Sequence, residues 1–151
     1  MAVTNVNNVA DYLLHFAHEH GDLISPLKLQ KMVFYADAWY MALNNGEELV
    51  PDQFEAWVHG PVARALYNRF ADYKWRPIDE DITEPNLPSE IKEHLDEIYQ
   101  VFGAYTAYQL EQMTHLEKPW LLARNGVPMD AICQNVIDKK VTAEFYRSMA
   151  G

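Results

Sequence analysis

Three short clusters hold the residues whose chemistry and spacing call for an explanation. Lys28, Lys31 and Tyr35 recur at i, i+3 and i+7, so a helix carries two amines and a phenol in one seam. Glu55, Trp57 and His59 alternate along a candidate strand, and His115, Glu117 and Trp120 sit around a proline near two late helices. Histidines beside carboxylates are the material of general acid–base catalysis. The same residue types beside tryptophan also build protein-binding faces, where aromatic anchors supply most of the energy and charges set encounter and specificity. Equally, such constellations satisfy one another inside a fold, because buried polar groups need partners.

Other chemistries find little support. His15, His18 and His20 stand with Glu19, and i, i+3 spacing puts His15 and His18 on one helix face, but no HExxH occurs. His115-Leu116-Glu117 lacks the Pro-Cys-x-x-Cys partner of a zinc deaminase. No metal site is expected. Cys133 matches no local signature of a catalytic cysteine, and as the only cysteine it excludes an intrachain disulfide. The six glycines stand singly, so no phosphate-cradling loop can be written. No cofactor is expected.

The elements that position these residues are organised around Ser25 to Tyr40. Ser25 is a helix N-cap and Pro26 a favourable first helical residue. One apolar sector holds Leu29, Met32, Val33, Ala36, Tyr40 and Leu43; a nearly opposite one holds Leu27, Phe34, Ala38 and Met41. Such a helix must be covered on both sides, which makes it central. Lys28, Lys31 and Tyr35 form one polar seam between the sectors, and Gln30, Asp37 and Asn44 the other.

Before it, Thr4 caps an amphipathic helix that ends at Gly21. After it, 49–58 reads as a β-hairpin with a Pro51-Asp52 turn, and Pro61 opens a helix through Phe70. The stretch 71–88 is a proline-bearing loop that packs through Trp75. Ser89 caps a helix to Phe102, Thr106 and Gln109 form a capping box, and Pro119 opens a helix stopped by Asn125-Gly126. Val136-Ile137 is a short strand, and Asp138 caps a last helix with Val141, Phe145 and Met149 inward. The reading is mainly α: one compact helical domain over 1–151, around a buried helix at about 26–44, with a small hairpin near 49–58.

The 151 residues carry a net charge of −10. That balance disfavours general affinity for phosphate backbones, so no direct nucleic-acid partner is expected. Acid concentrates between Asp79 and Glu97, where Lys92 alone opposes it, while Arg64, Arg69, Lys74 and Arg76 make the preceding segment basic. No run is long enough to cross a membrane and no leader pattern opens the chain, so a membrane association is not expected and the cytoplasm is the expected compartment.

Three ordered motifs add a resemblance. Leu27-Lys28-Leu29-Gln30-Lys31-Met32-Val33-Phe34-Tyr35-Ala36, then Phe54-Glu55-Ala56-Trp57-Val58-His59-Gly60-Pro61-Val62, then Thr114-His115-Leu116-Glu117-Lys118-Pro119-Trp120 resemble the successive signatures of the Panacea domain. This family includes SocA-like antitoxins and phage-associated GepA-type proteins. The resemblance implies a mainly α-helical domain of prophages and toxin–antitoxin operons that neutralises a cognate toxin by direct protein–protein binding. The family commonly carries a variable N-terminal extension, and this sequence departs from that pattern: no separate N-terminal module is expected, with the domain beginning almost at Met1. Lys28, Lys31, Tyr35, Glu55, Trp57, His59, His115, Glu117 and Trp120 are then the candidate partner-binding residues, with no catalytic residue among them. An alternative within the family is an adaptor that delivers its toxin to a AAA+ protease. An enzyme built from Glu55, His59, His115 and Glu117 is a further alternative, which requires those four side chains to share one cleft.

Overall fold

The computed structural model describes residues 2–150. It is mainly α, with helices α1 (Val6–Glu19), α2 (Pro26–Leu43), α3 (Arg64–Phe70), α4 (Ser89–Phe102), α5 (Ala107–His115), α6 (Lys118–Arg124) and α7 (Lys139–Ala150). A small antiparallel sheet joins β1 (Glu55–Trp57) to β2 (Gly60–Val62), and a single 3-10 turn follows α3 at Ala71–Tyr73. Among the described residues no helix is long and apolar enough to cross a membrane.

α2 is the hub. Ser25 Oγ accepts the Lys28 N–H and Pro26 stands in the first turn, as the sequence requires. Both apolar sectors are covered, with α1, α3, α4, α5, α7 and β2 all packed against this one helix. Leu29 to Ala38 are buried without a break, whereas Leu43 lies beyond the packed region and is exposed. Burying so much of one helix also buries its polar side chains, and each finds a protein partner. Gln30 clamps one residue twice, donating from Nε2 to Ala63 O at 3.1 Å and accepting the Ala63 N–H at 2.9 Å. Asp37 accepts the N–H groups of Leu49 and Val50 at 2.9 and 3.2 Å, and pairs with Lys139 at 3.1 Å.

These bonds explain where the hairpin lies. Leu49 and Val50 cannot form a strand ladder, because their N–H groups cap Asp37 and the Leu49 carbonyl accepts from Val3 and Thr4. The turn therefore falls at Val58-His59 rather than Pro51-Asp52, and the hairpin spans 55–62. Pro61 sits in β2 instead of opening α3. Its missing N–H costs nothing, since Ala56 opposite directs its own N–H to Asn135 O and its carbonyl to Arg124. Asn135 to Ile137 run along the outer side of β1, with the Ile137 N–H on Phe54 O at 2.7 Å.

Other boundaries shift for local reasons. Asn5, not Thr4, caps α1 through its side chain. Ser89 is the first residue of α4, with Pro88 in the cap position. Trp75 does not pack but is 80% exposed. α7 begins where Asp138 accepts the N–H groups of Lys140 and Val141, yet it buries Thr142, Ala143 and Tyr146, while Val141 and Phe145 are half-buried and Met149 is exposed.

The clamp on Ala63 fixes the entry to α3, so its loss has a defined cost. Gln30→Leu preserves approximate size but strands the buried Ala63 N–H, worth about 1–3 kcal/mol, while the Ala63 carbonyl keeps the N–H groups of Leu66 and Tyr67. Urea denaturation is expected to show destabilisation in that range or above.

Candidate functional site

Six of the nine candidate residues, Lys31, Glu55, Trp57, His59, His115 and Trp120, lie in the hairpin or against its supports, and Tyr35 pairs with Glu117 two residues from His115, so that the site has two tiers. The inner tier comes from α2 and the α5–α6 junction. Glu117, at the N-cap of α6, receives the hydroxyls of Tyr35 and Tyr146 on the same oxygen, at 2.6 and 2.7 Å. Burial raises the Glu117 pKa, and the two phenols oppose that rise. The phenols themselves are pushed up, first by burial and then by the adjacent carboxylate. Tyr35 is further held by stacking on Phe102 at 4.3 Å between ring centroids.

Lys31 is fully buried, with Nζ donating to Leu27 O at 3.3 Å. It lies beneath Gly60, whose φ of 117° strains any other residue and where a Cβ would stand only 3.2 Å from Lys31 Cε and Thr114 Oγ1. Burial lowers the Lys31 pKa to about 7, and Glu111 acts in the opposite direction. Next to it, the His115 ring stacks on Trp120 at 4.0 Å, and its buried Nε2 has no hydrogen-bond partner among the described residues. Burial is the main cause of a lowered His115 pKa. Trp120 Nε1 donates to Trp57 O at 2.8 Å, which fixes the end of β1.

Arg124 completes this tier and carries no warning in the sequence, where it reads as an ordinary basic residue at a helix end. It is buried over the Trp120 ring and donates to the carbonyls of Ala56, Pro128 and Ala131. One guanidinium thus ties the hairpin to the loop after α6. Tyr146 is the other residue the sequence does not single out, since only the position of Glu117 gives its hydroxyl a purpose.

The outer tier faces solvent. Glu55 accepts Trp57 Nε1 at 2.8 Å on one oxygen and Arg64 Nε at 2.7 Å on the other. This holds the guanidinium over the Trp57 ring, 5.6 Å from its centroid, while Tyr67 meets the same ring edge-on at 4.9 Å. Arg64 keeps the Glu55 carboxyl below the usual range. His59, exposed at the turn, pairs with Glu111 at 3.1 Å. Trp57, Val58, His59, Val62, Arg64 and Tyr67 help line a groove of about 680 Å³, closed by Phe70, Lys74 and residues 132–134. Cys133, buried, is part of that wall.

Lys28 stands apart, donating to the Gly103 carbonyl at the end of α4 at 2.6 Å. No hydrogen bond joins any two of Glu55, His59, His115 and Glu117 among the described residues; each has a different neighbour. His15 and His18 do not share a site either. His15 pairs with Glu19 and approaches Glu84, which Lys92 already binds, whereas His18 meets Ile78 O.

Comparison with protein families decides what this framework is. A model described as antitoxin SocA-like, Panacea domain, matches residues 29–121, more than half of the chain. The chain belongs to the SocA-like Panacea family. All of the second and third motifs, and the first from Leu29 on, fall within the match. Neither a curated protein nor a solved structure matches significantly. Membership supports an antitoxin-like role at the level of the family. In this Panacea domain the first motif supplies the buried hub, the second the hairpin, and the third the carboxylate and indole beneath it.

Two measurements test the inner tier. Tyr146→Phe removes one donor from a buried carboxylate and is expected to cost about 1–3 kcal/mol in urea denaturation, with a non-additive response when combined with Tyr35→Phe. Lys31 makes stability depend on pH. The unfolded chain keeps this proton up to about pH 10.5 and the folded chain releases it near 7, so between those values the unfolded state binds more protons and stability rises with pH. Below pH 7 the full penalty of a buried ammonium weighs on the fold. Lys31→Met is expected to flatten that rise, and to raise stability at pH 7 by about 1–4 kcal/mol.

Proposed function

We propose that this Panacea domain neutralises a toxin by binding it directly, with the groove beside Trp57 as the docking face. The observation that carries the reading is the groove itself: a concave, largely apolar surface next to a hairpin that is anchored from below by Trp120 and Arg124. Rigid aromatic anchors in a preorganised pocket are where binding energy concentrates. Trp57 and His59 meet the partner, and Glu55 aims Arg64 at it. Lys31, Tyr35, His115, Glu117 and Trp120 act from beneath, by holding the hairpin and the α5–α6 junction in place. Lys28 contributes through the end of α4.

The test is co-expression with the product of the adjacent gene. Inducing the neighbour alone should arrest growth, and adding this chain should restore it and yield a complex in which the neighbour stays intact. Trp57→Ala, at a half-buried position, should fold and lose rescue. A harmless neighbour, or no complex with the parent chain, contradicts the reading. Rescue accompanied by disappearance of the neighbour replaces occlusion with delivery to a protease.

A further inference from the structure

We infer that the groove takes an acidic segment of the partner, one that inserts a bulky apolar side chain and places carboxylates at Lys74 and Arg64. This rests on the docking face proposed above and adds the chemistry of what docks there. The walls are apolar: Trp57, Tyr67, Phe70, Val62 and Cys133, with Ile132 86% exposed at the rim. A cavity of about 680 Å³ lies within the range that proteins use for specific ligands.

The cationic groups that line it are Arg64 and Lys74, with the His59 imidazole beside them, and no carboxylate side chain lines it among the described residues. Glu55 and Glu111 lie behind, answering Arg64 and His59. Lys74 has no such answer: its ammonium makes no ion pair or hydrogen bond to a described residue, and it is exposed. On a chain of net charge −10, this is a basic mouth on an apolar groove. That arrangement favours an acidic segment in this groove.

The backbone strengthens the point. Arg76 donates to Tyr73 O at 2.9 Å, closing a turn in which Lys74 occupies the second position at φ 57° and ψ −114°. Those are the angles of a type II′ turn, whose second position belongs to glycine. A lysine is thus held in a strained conformation at the groove mouth, where glycine would be easier for the fold. Trp75, the next residue, is 80% exposed.

The experiment selects a random peptide library, displayed on phage, against the purified full chain. Enriched peptides are then measured by fluorescence polarisation against the parent and three variants. Enriched sequences should combine aromatic or aliphatic residues with net negative charge. Lys74→Gly should leave the melting temperature unchanged or higher while weakening binding about tenfold, so a loss of fold cannot mimic the result. Ile132→Asp, at an exposed position, should weaken binding by a similar factor, and Glu93→Gln on α4 should not change it.

Neutral or basic enriched peptides overturn the inference. So does the absence of enrichment, binding that ignores both groove variants, or preferential capture of duplex DNA by the same face. The two proposals fail separately. If the parent chain rescues growth and the groove variants rescue equally well, the antitoxin reading stands and the groove is wrong. If the neighbour proves harmless, the antitoxin reading falls and the peptide measurements still decide the groove.

Discussion

The fold depends on a conflict within α2: the helix is buried on both sides, yet Gln30, Lys31, Tyr35 and Asp37 all carry polar groups where water cannot reach. A buried polar group without a partner costs as much as many favourable contacts supply, so each must be answered by another part of the chain. The answers define the architecture. Gln30 holds the entry to α3, and Asp37 holds the segment after α2 and the start of α7. Tyr35 meets Glu117 at the start of α6. Hydrophobic burial drives collapse without direction, whereas these bonds choose which element docks at which turn of the hub.

Lys31 is the exception, and its cost is informative. A buried amine with one long hydrogen bond to a carbonyl is a weak arrangement for stability. It lies directly under Gly60, where a φ of 117° and the nearness of the Lys31 side chain both favour glycine. The result is a hairpin seated close on the hub, pinned through two adjacent β1 carbonyls, that of Trp57 by Trp120 and that of Ala56 by Arg124. The groove beside it is therefore walled on one side by a strand that its supports hold still. Preorganisation of that kind lowers the entropy lost on association.

Much of this was legible in the sequence. Ser25-Pro26, the two apolar sectors and the Thr106 capping box are local signals, and the elements they announce are where they should be. The three motifs announced the family, and their candidate residues gather around the hairpin, apart from Lys28 and the Tyr35–Glu117 pair. What escaped was non-local. The hairpin lay later than the Pro51-Asp52 turn signal suggests, because Leu49 and Val50 are claimed by Asp37. α7 buries Tyr146 fully and Phe145 only in part, in keeping with a hydroxyl partner at the N-cap of α6. Arg124 looked like a helix-end charge and proved to be a buried tie. No periodicity records a partner that is distant in sequence.

The most direct measurement is hydrogen–deuterium exchange of the chain alone and in complex with the co-purified product of its adjacent gene. Exchange should be slowest in α2 of the free chain, and new protection on binding should be confined to 57–62, 64–74 and 131–134. Protection that instead falls on the acidic face of α4, with the hairpin and α3 unchanged, would contradict it.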